Sequence, residues 1–271
     1  RKNLIINGGF DVWQRGTSIA EGSLDFTADR WAKNGSTSLI ERSTDVPTGS
    51  TATYSMKQTP SGAKNFILLQ PVELPATGNA GVFKVGQTLT FSFWIKGAAS
   101  GTIALAYDFR DTGISATNYV TAAPSETVSY TTGWTRYIST FTITATPNST
   151  NKSFNPILYA SCNVGEVLYI TQVQLELGSV ATDFEHRSYG EELALCQRYY
   201  EKYDRTGAYY SATSNGSHPR INGTWMVAKR VAPTMTNNGG YNMDGVIYGY
   251  EGYHPTATDN LVPSWTADAE L

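Results

Sequence analysis

The segment Leu89-Thr90-Phe91-Ser92-Phe93-Trp94-Ile95-Lys96 alternates large apolar residues with small or polar ones for most of its length. A period of two belongs to a β-strand with one face on a core and the other toward water. Leu89, Phe91, Phe93 and Ile95 are therefore predicted to point inward together. Trp94 interrupts the polar side of the pattern, so it is predicted on the face opposite Phe91 and Phe93, packed in a second layer or exposed. The alternation recurs in Phe66–Gln70, Thr102–Tyr107, Arg136–Ile143 and Val167–Glu176, each bounded by Gly, Pro or polar turns. Roughly eight to ten such strands without helical patterns between them predict two packed antiparallel sheets rather than an α/β fold.

Composition agrees with that reading and excludes several functions. Only 16% of the 271 residues are charged, and the formal net charge is −3 with basic residues scattered, so no footprint for a phosphate backbone exists and nucleic acid is not an expected partner. No apolar run approaches the roughly 20 residues that cross a bilayer, so no membrane insertion is expected, and the opening residues are too short for a secretory signal. Cys162 and Cys196 lack the paired spacing of a metal site and are predicted to be buried small hydrophobes.

The pattern changes near Tyr189-Gly190. Glu191 to Tyr203 is the one stretch with helix formers in series, and both helix and strand periods fit it; a short helix or turn running into a strand is predicted. Residues 204–271 are dense in Tyr, Gly and Asn, with a strand-like Thr224–Lys229 and few aliphatic residues, which predicts a small unit that docks on the sandwich or on copies of itself. The expected division is residues 1–188 as a sandwich, 189–203 as a connecting helix or strand, and 204–271 as a β-rich tip.

Catalytic signatures are absent from the sequence: there is no G-x-S-x-G elbow, H-E-x-x-H or phosphate loop, and His186, His218 and His254 are far apart. A glycosidase pair leaves no spacing to read, so Asp108, Asp111 and Glu126, in or near one loop, are the carboxylates to follow, but solvated turn positions are the favoured reading of all three. What remains is aromatic surface chemistry. A sugar ring stacks its C–H face on Trp or Tyr while its hydroxyls bond Asn, Asp, Gln or Arg. Tyr209, Tyr210, Trp225, Tyr241, Tyr248, Tyr250 and Tyr253, interleaved with Arg220 and Asn242, are predicted as a glycan-binding set in the tip; the alternative is that these tyrosines fill a thin core or a subunit interface. Trp13, Trp31 and Trp134 are predicted in the sandwich core.

Two stretches carry a resemblance. Asn3-Leu4-Ile5-Ile6-Asn7-Gly8-Gly9-Phe10-Asp11-Val12-Trp13 through Ser18, followed by Ala28-Asp29-Arg30-Trp31, resembles the opening of sandwich domains in tailed-bacteriophage fibre and receptor-binding proteins. Gln172 through Glu185, continuing over Arg187–Leu193 to Cys196–Lys202, is similar to the segment that closes them. The resemblance implies an all-β fold: a jelly-roll β-sandwich like that of carbohydrate-binding modules, followed by a smaller C-terminal tip. It implies a homotrimer in the virion tail fibre, attached to other phage tail proteins and to host surface polysaccharide or another glycan, without catalysis and with no cofactor. Asp11 matches an acidic residue that helps to hold a structural calcium in such modules, but Thr171-Gln172 stands where their last strand carries acidic residues. A ligand-free structural fibre or capsid-decoration domain and a capsule-degrading glycosidase or esterase are the alternatives.

Overall fold

The structure is a computed structural model that describes all residues except 1, 23, 35–37, 63, 113–116, 204–219, 238–241, 254–264 and 271; at 24, 25, 34, 64, 65, 220–222 and 253 it describes the backbone alone. With strands numbered in chain order, one sheet runs β1 (Ser18–Ile19), β4 (Ser38–Ser43), β5 (Ser55–Pro60), β13 (Leu168–Leu177), β8 (Thr88–Gly97), β11 (Thr135–Thr142). The other runs β10 (Tyr119–Tyr130), β9 (Gly101–Arg110), β12 (Ser153–Cys162), β6 (Lys64–Leu69), β3 (Ala32–Asn34), β2 (Leu24–Phe26), with β7 (Val72–Glu73) also beside β12. Every neighbouring pair on these two paths is antiparallel, and the chain crosses between sheets from β1 to β2, β3 to β4, β5 to β6, β7 to β8, β8 to β9, β10 to β11, β11 to β12 and β12 to β13. This is a jelly-roll β-sandwich.

The alternation read in the sequence becomes its core. Leu89, Phe91, Phe93 and Ile95 of β8 are buried and meet Ile103, Leu105, Tyr107 and Phe109 of β9, with Phe154 and Leu158 of β12 and Ile170, Val173 and Leu175 of β13. Each such side chain contributes about 1.5–3 kcal/mol when fully buried. Trp13 and Trp31 belong to this core, but Trp134 does not. It precedes β11 and stays half-buried, because its indole N–H bonds the Asp45 carboxylate at 3.0 Å.

The two familiar stretches of sequence meet in space. The Leu4 amide donates to the Leu175 carbonyl and the Val173 amide to the Gly8 carbonyl, each at 2.9 Å, so the N-terminal segment lies along β13. Asn3 Oδ1 accepts from the amides of Ile5 and Leu175, Gln70 exchanges two bonds with the backbone of Ile6, and Arg187 donates to the carbonyls of Asn3 and Ile5. The Trp31 indole donates to the Asn7 carbonyl, and Asn7 itself adopts φ 55° while its amide bonds Val12 and Asp29. The polar residues of these motifs thus satisfy backbone groups that have no ladder partner, as buried polar groups require.

The chain falls into two compact units, Arg1–Tyr189 and Gly190–Glu270. In the second, α1 (Tyr189–Gln197) leads to β14 (Tyr200–Tyr203), which pairs with β19 (Trp265–Asp268) and through it with β16 (Thr234–Asn237). A further sheet joins β15 (Arg220–Thr224), β18 (Gly249–Tyr253) and β17 (Asn242–Val246). Of the predicted strand Thr224–Lys229, only Thr224, the last residue of β15, is in a strand. The backbone then turns so that Lys229, fully buried, can bond the Gln197 carbonyl and Glu201 Oε2 at 2.6 Å, its ammonium 5.0 Å from the Trp225 ring centre. Burial pushes the Lys229 pKa down, against the pull of Glu201. Cys162 and Cys196 are both buried and unbridged.

Candidate functional site

The face of β8 turned away from the core carries Thr88, Thr90, Ser92, Trp94 and Lys96. Trp94 is the large aromatic in that row, and it sits opposite Arg136 on β11 and Thr171 on β13. Between Thr171 and Gln174 the register shifts by one residue, with Gln172 at φ 50°. Such a left-handed conformation costs a non-glycine residue on the order of 1 kcal/mol or more, and bulges of this kind commonly re-aim a side chain. Here the Gln172 side chain reaches out to Thr51 Oγ1 at 2.9 Å.

Trp94, Arg136 and Gln172 then share a pocket of about 340 Å³, closed by the turn Gly49–Thr51 and by Asp183 and Phe184. The volume lies at the small end for ligand sites. The walls are held from outside the pocket. Gln174 bonds the Asp183 carbonyl and the Glu185 amide, Glu176 bonds Thr182, and Arg136 Nη2 bonds the Thr182 carbonyl, so the segment after β13 is tied down over the sheet. Ser50 bonds Pro47 and the Ala52 amide and fixes the opposite turn.

A second aromatic group continues along the same face. Trp134 and Tyr169 have ring centres 6.3 Å apart, Lys96 lies 5.5 and 4.8 Å from them, and Asp45 pairs with Lys96. Burial would raise the Asp45 pKa, but the bonds from Lys96 and Trp134 outweigh it and hold the carboxyl below its ordinary value. An apolar ring, an arginine, an amide and hydroxyls set side by side can stack a flat C–H face and bond hydroxyls at its edge.

Among the described residues, those predicted in the tip fall into separate groups. Trp225 is buried, its indole bonded to the Val246 carbonyl, and it packs with Trp265 and Tyr250 at ring-centre distances of 5.2 and 5.0 Å. Tyr203 stacks on Trp265 at 5.1 Å. Trp225 and Tyr250 thus fill a thin aromatic core, and Trp225 offers no open face for a ligand. Tyr248 is 74% exposed on the turn between β17 and β18, and Asn242 is also exposed. The register sets Arg220, Tyr253 and Asn242 abreast across three strands. Tyr209, Tyr210 and Tyr241 lie outside the described residues.

The candidate carboxylates do not gather. Asp108 accepts both bonds of the Arg110 Nε, Asp111 closes a turn with Asn118, and Glu126 accepts from Ser139. Asp108 and Glu126 turn to opposite sides of their sheet, Glu126 toward Ser139 and Tyr107. Among the described residues, Asp11 included, no three acidic, His or Cys side chains cluster.

Of these features only Trp94 was marked in the sequence, as an aromatic out of place on a polar face. Arg136, Gln172, Asp183 and Phe184 carried no comparable signal, since the bulge and the folded-back segment that assemble them appear only in three dimensions.

No family model and no curated protein matches the chain. Solved structures do. TmCBM61, described in complex with β-1,4-galactotriose, is similar at 16% identity and TM-score 0.40 over 66% of this chain and 100% of that chain. A xylan-binding domain from CBM 22 is similar at 16% identity and TM-score 0.38, over 62% and 99% respectively. The enzymatically active domain of bacteriophage CBA120 tailspike protein 4 is similar at 16% identity and TM-score 0.40, over 65% of this chain and 21% of that chain. At such scores none of these likenesses assigns a role to a residue here.

Proposed function

We propose that the sandwich is a non-catalytic glycan-binding module and that the chain serves a bacteriophage tail fibre in attachment to host surface polysaccharide. The observation that carries the reading is the half-buried Trp94 in a pocket that also contains Arg136, Gln172 and the hydroxyls of Ser50 and Thr51. Binding rather than turnover is favoured because Asp183 is the one carboxylate among the residues lining it, whereas a glycosidase works with two. The fibre assignment rests on the resemblance of residues 3–31 and 172–202. In a trimeric fibre several weak contacts add through avidity, so a small pocket suffices. The exposed Tyr248 and Asn242 of the tip form a second place to look for contact.

The test is binding of purified protein to surface polysaccharide from susceptible and resistant host strains, with solution mass and release of reducing ends recorded. Saturable binding to susceptible material, weakened at least about tenfold by Trp94→Ala while the unfolding midpoint stays put, is the expected result. Binding to neither material removes the attachment role, and steady release of reducing ends replaces it with an enzyme.

A further inference from the structure

We infer that the Trp94 pocket takes an acidic sugar, with Arg136 reading a carboxylate on the ring that stacks on Trp94; this rests on the glycan-binding reading above. Arg136 is only partly exposed, and one arm of its guanidinium is committed: Nη2 donates to the Thr182 carbonyl and, at 3.5 Å, to Ser92 Oγ. Among the described residues it forms no ion pair, and its Nε and Nη1 have no hydrogen-bond acceptor. A partly buried cation without a counter-charge is costly to the protein alone and favourable to an anion that arrives. The free edge presents donors in the planar fork that matches a carboxylate.

Position supports the assignment. Trp94 and Arg136 are direct cross-strand partners, a relation that sets Cβ atoms about 4.5–5.5 Å apart. A ring lying on the indole therefore brings its substituents within reach of the guanidinium. On the other side of the pocket Gln172 spends its Nε2 on Thr51, and its Oε1 accepts no bond among the described residues, so it suits a sugar hydroxyl. The Lys2 ammonium, bonded to the Asp183 carbonyl at 2.8 Å, adds positive charge behind the same wall. Asp183 opposes it, but that side chain is exposed and forms no ion pair with Arg136 among the described residues.

The experiment uses the full chain and a panel of polysaccharides, each acidic member paired with its own carboxyl-reduced form and neutral galactan and xylan included. The expected result is saturable binding to at least one acidic member, weakened about tenfold to a hundredfold on carboxyl reduction. Arg136→Gln is expected to reproduce that loss and to erase the difference between the two forms, and Arg136→Lys, which keeps charge but not the fork, to fall between. Trp94→Ala is expected to weaken both forms. If the bound glycan is neutral, or its reduced form binds equally well, while Trp94→Ala still abolishes binding, the acidic assignment is overturned and the glycan site stands. If no member binds, or Trp94→Ala has no effect, the glycan reading fails and this inference with it.

Discussion

Replacing Gly8 by alanine tests how the N-terminal segment is held. A Cβ on Gly8 would stand 2.1 Å from the Val173 carbonyl oxygen and 3.1 Å from its carbon, and the obstruction is backbone, not a side chain that can swing away. To reach an ordinary contact the two segments must part by roughly 1 Å. That separation breaks the Val173–Gly8 bond and strains the Leu4–Leu175 bond beside it, both 2.9 Å in the native chain. One lost backbone bond at about 0.5–1.5 kcal/mol and a second one weakened, with overpacking of about 1–3 kcal/mol, give a loss of about 2–5 kcal/mol, a large part of a domain's usual stability. Urea unfolding measures it, and hydrogen exchange at the Val173 amide locates it, since that proton should lose protection first. Gly22→Ala is the control, because nothing lies within 4 Å of its added Cβ, and it should stay within about 0.5 kcal/mol of the parent. A Gly8→Ala protein that unfolds with its parent and keeps the Val173 amide protected would refute the reasoning.

Three further results are expected. Lys229→Met should cost about 3–5 kcal/mol in thermal unfolding by leaving Glu201 buried alone, and adding Glu201→Met should recover most of that. Burial tends to raise the Glu185 pKa, but the Asn3 amide at 2.8 Å and Arg187 at 3.2 Å outweigh it and hold the carboxyl below its ordinary 4.5. A depressed native value means stability that is fully present above 4.5 and lost as pH falls through the native pKa, so Glu185→Gln should lower stability at neutral pH and the gap should close in acid. Asp183→Asn should tighten binding of acidic glycans about twofold to fivefold at low salt, less at high salt, and leave neutral glycans unchanged, as read by calorimetry.

Much of the sandwich was legible because burial on one face writes itself into every second residue. Leu89, Phe91, Phe93 and Ile95 could be assigned to one face without knowing what lay opposite. Trp134 could not, because its position depends on Asp45, 89 residues away in sequence. The pocket was legible at a single residue for the same reason: its lining comes from five stretches, and one of them depends on a bulge that no composition announces. In the C-terminal unit, tyrosine-rich writing fits a binding surface and a thin core equally well, and Trp225 and Tyr250 took the core because few aliphatic side chains are there to fill it.

The staple between residues 2–8 and 173–187 has a mechanical consequence. Lys2 bonds Thr182, the Asn3 amide bonds Glu185 and Arg187 grips the Asn3 and Ile5 carbonyls, so the two ends of the sandwich leave from one corner. Tension applied at residues 2 and 189 would load this short clamp of side chains before it reached any core strand. Under such a load the pocket is expected to keep its shape until the clamp opens.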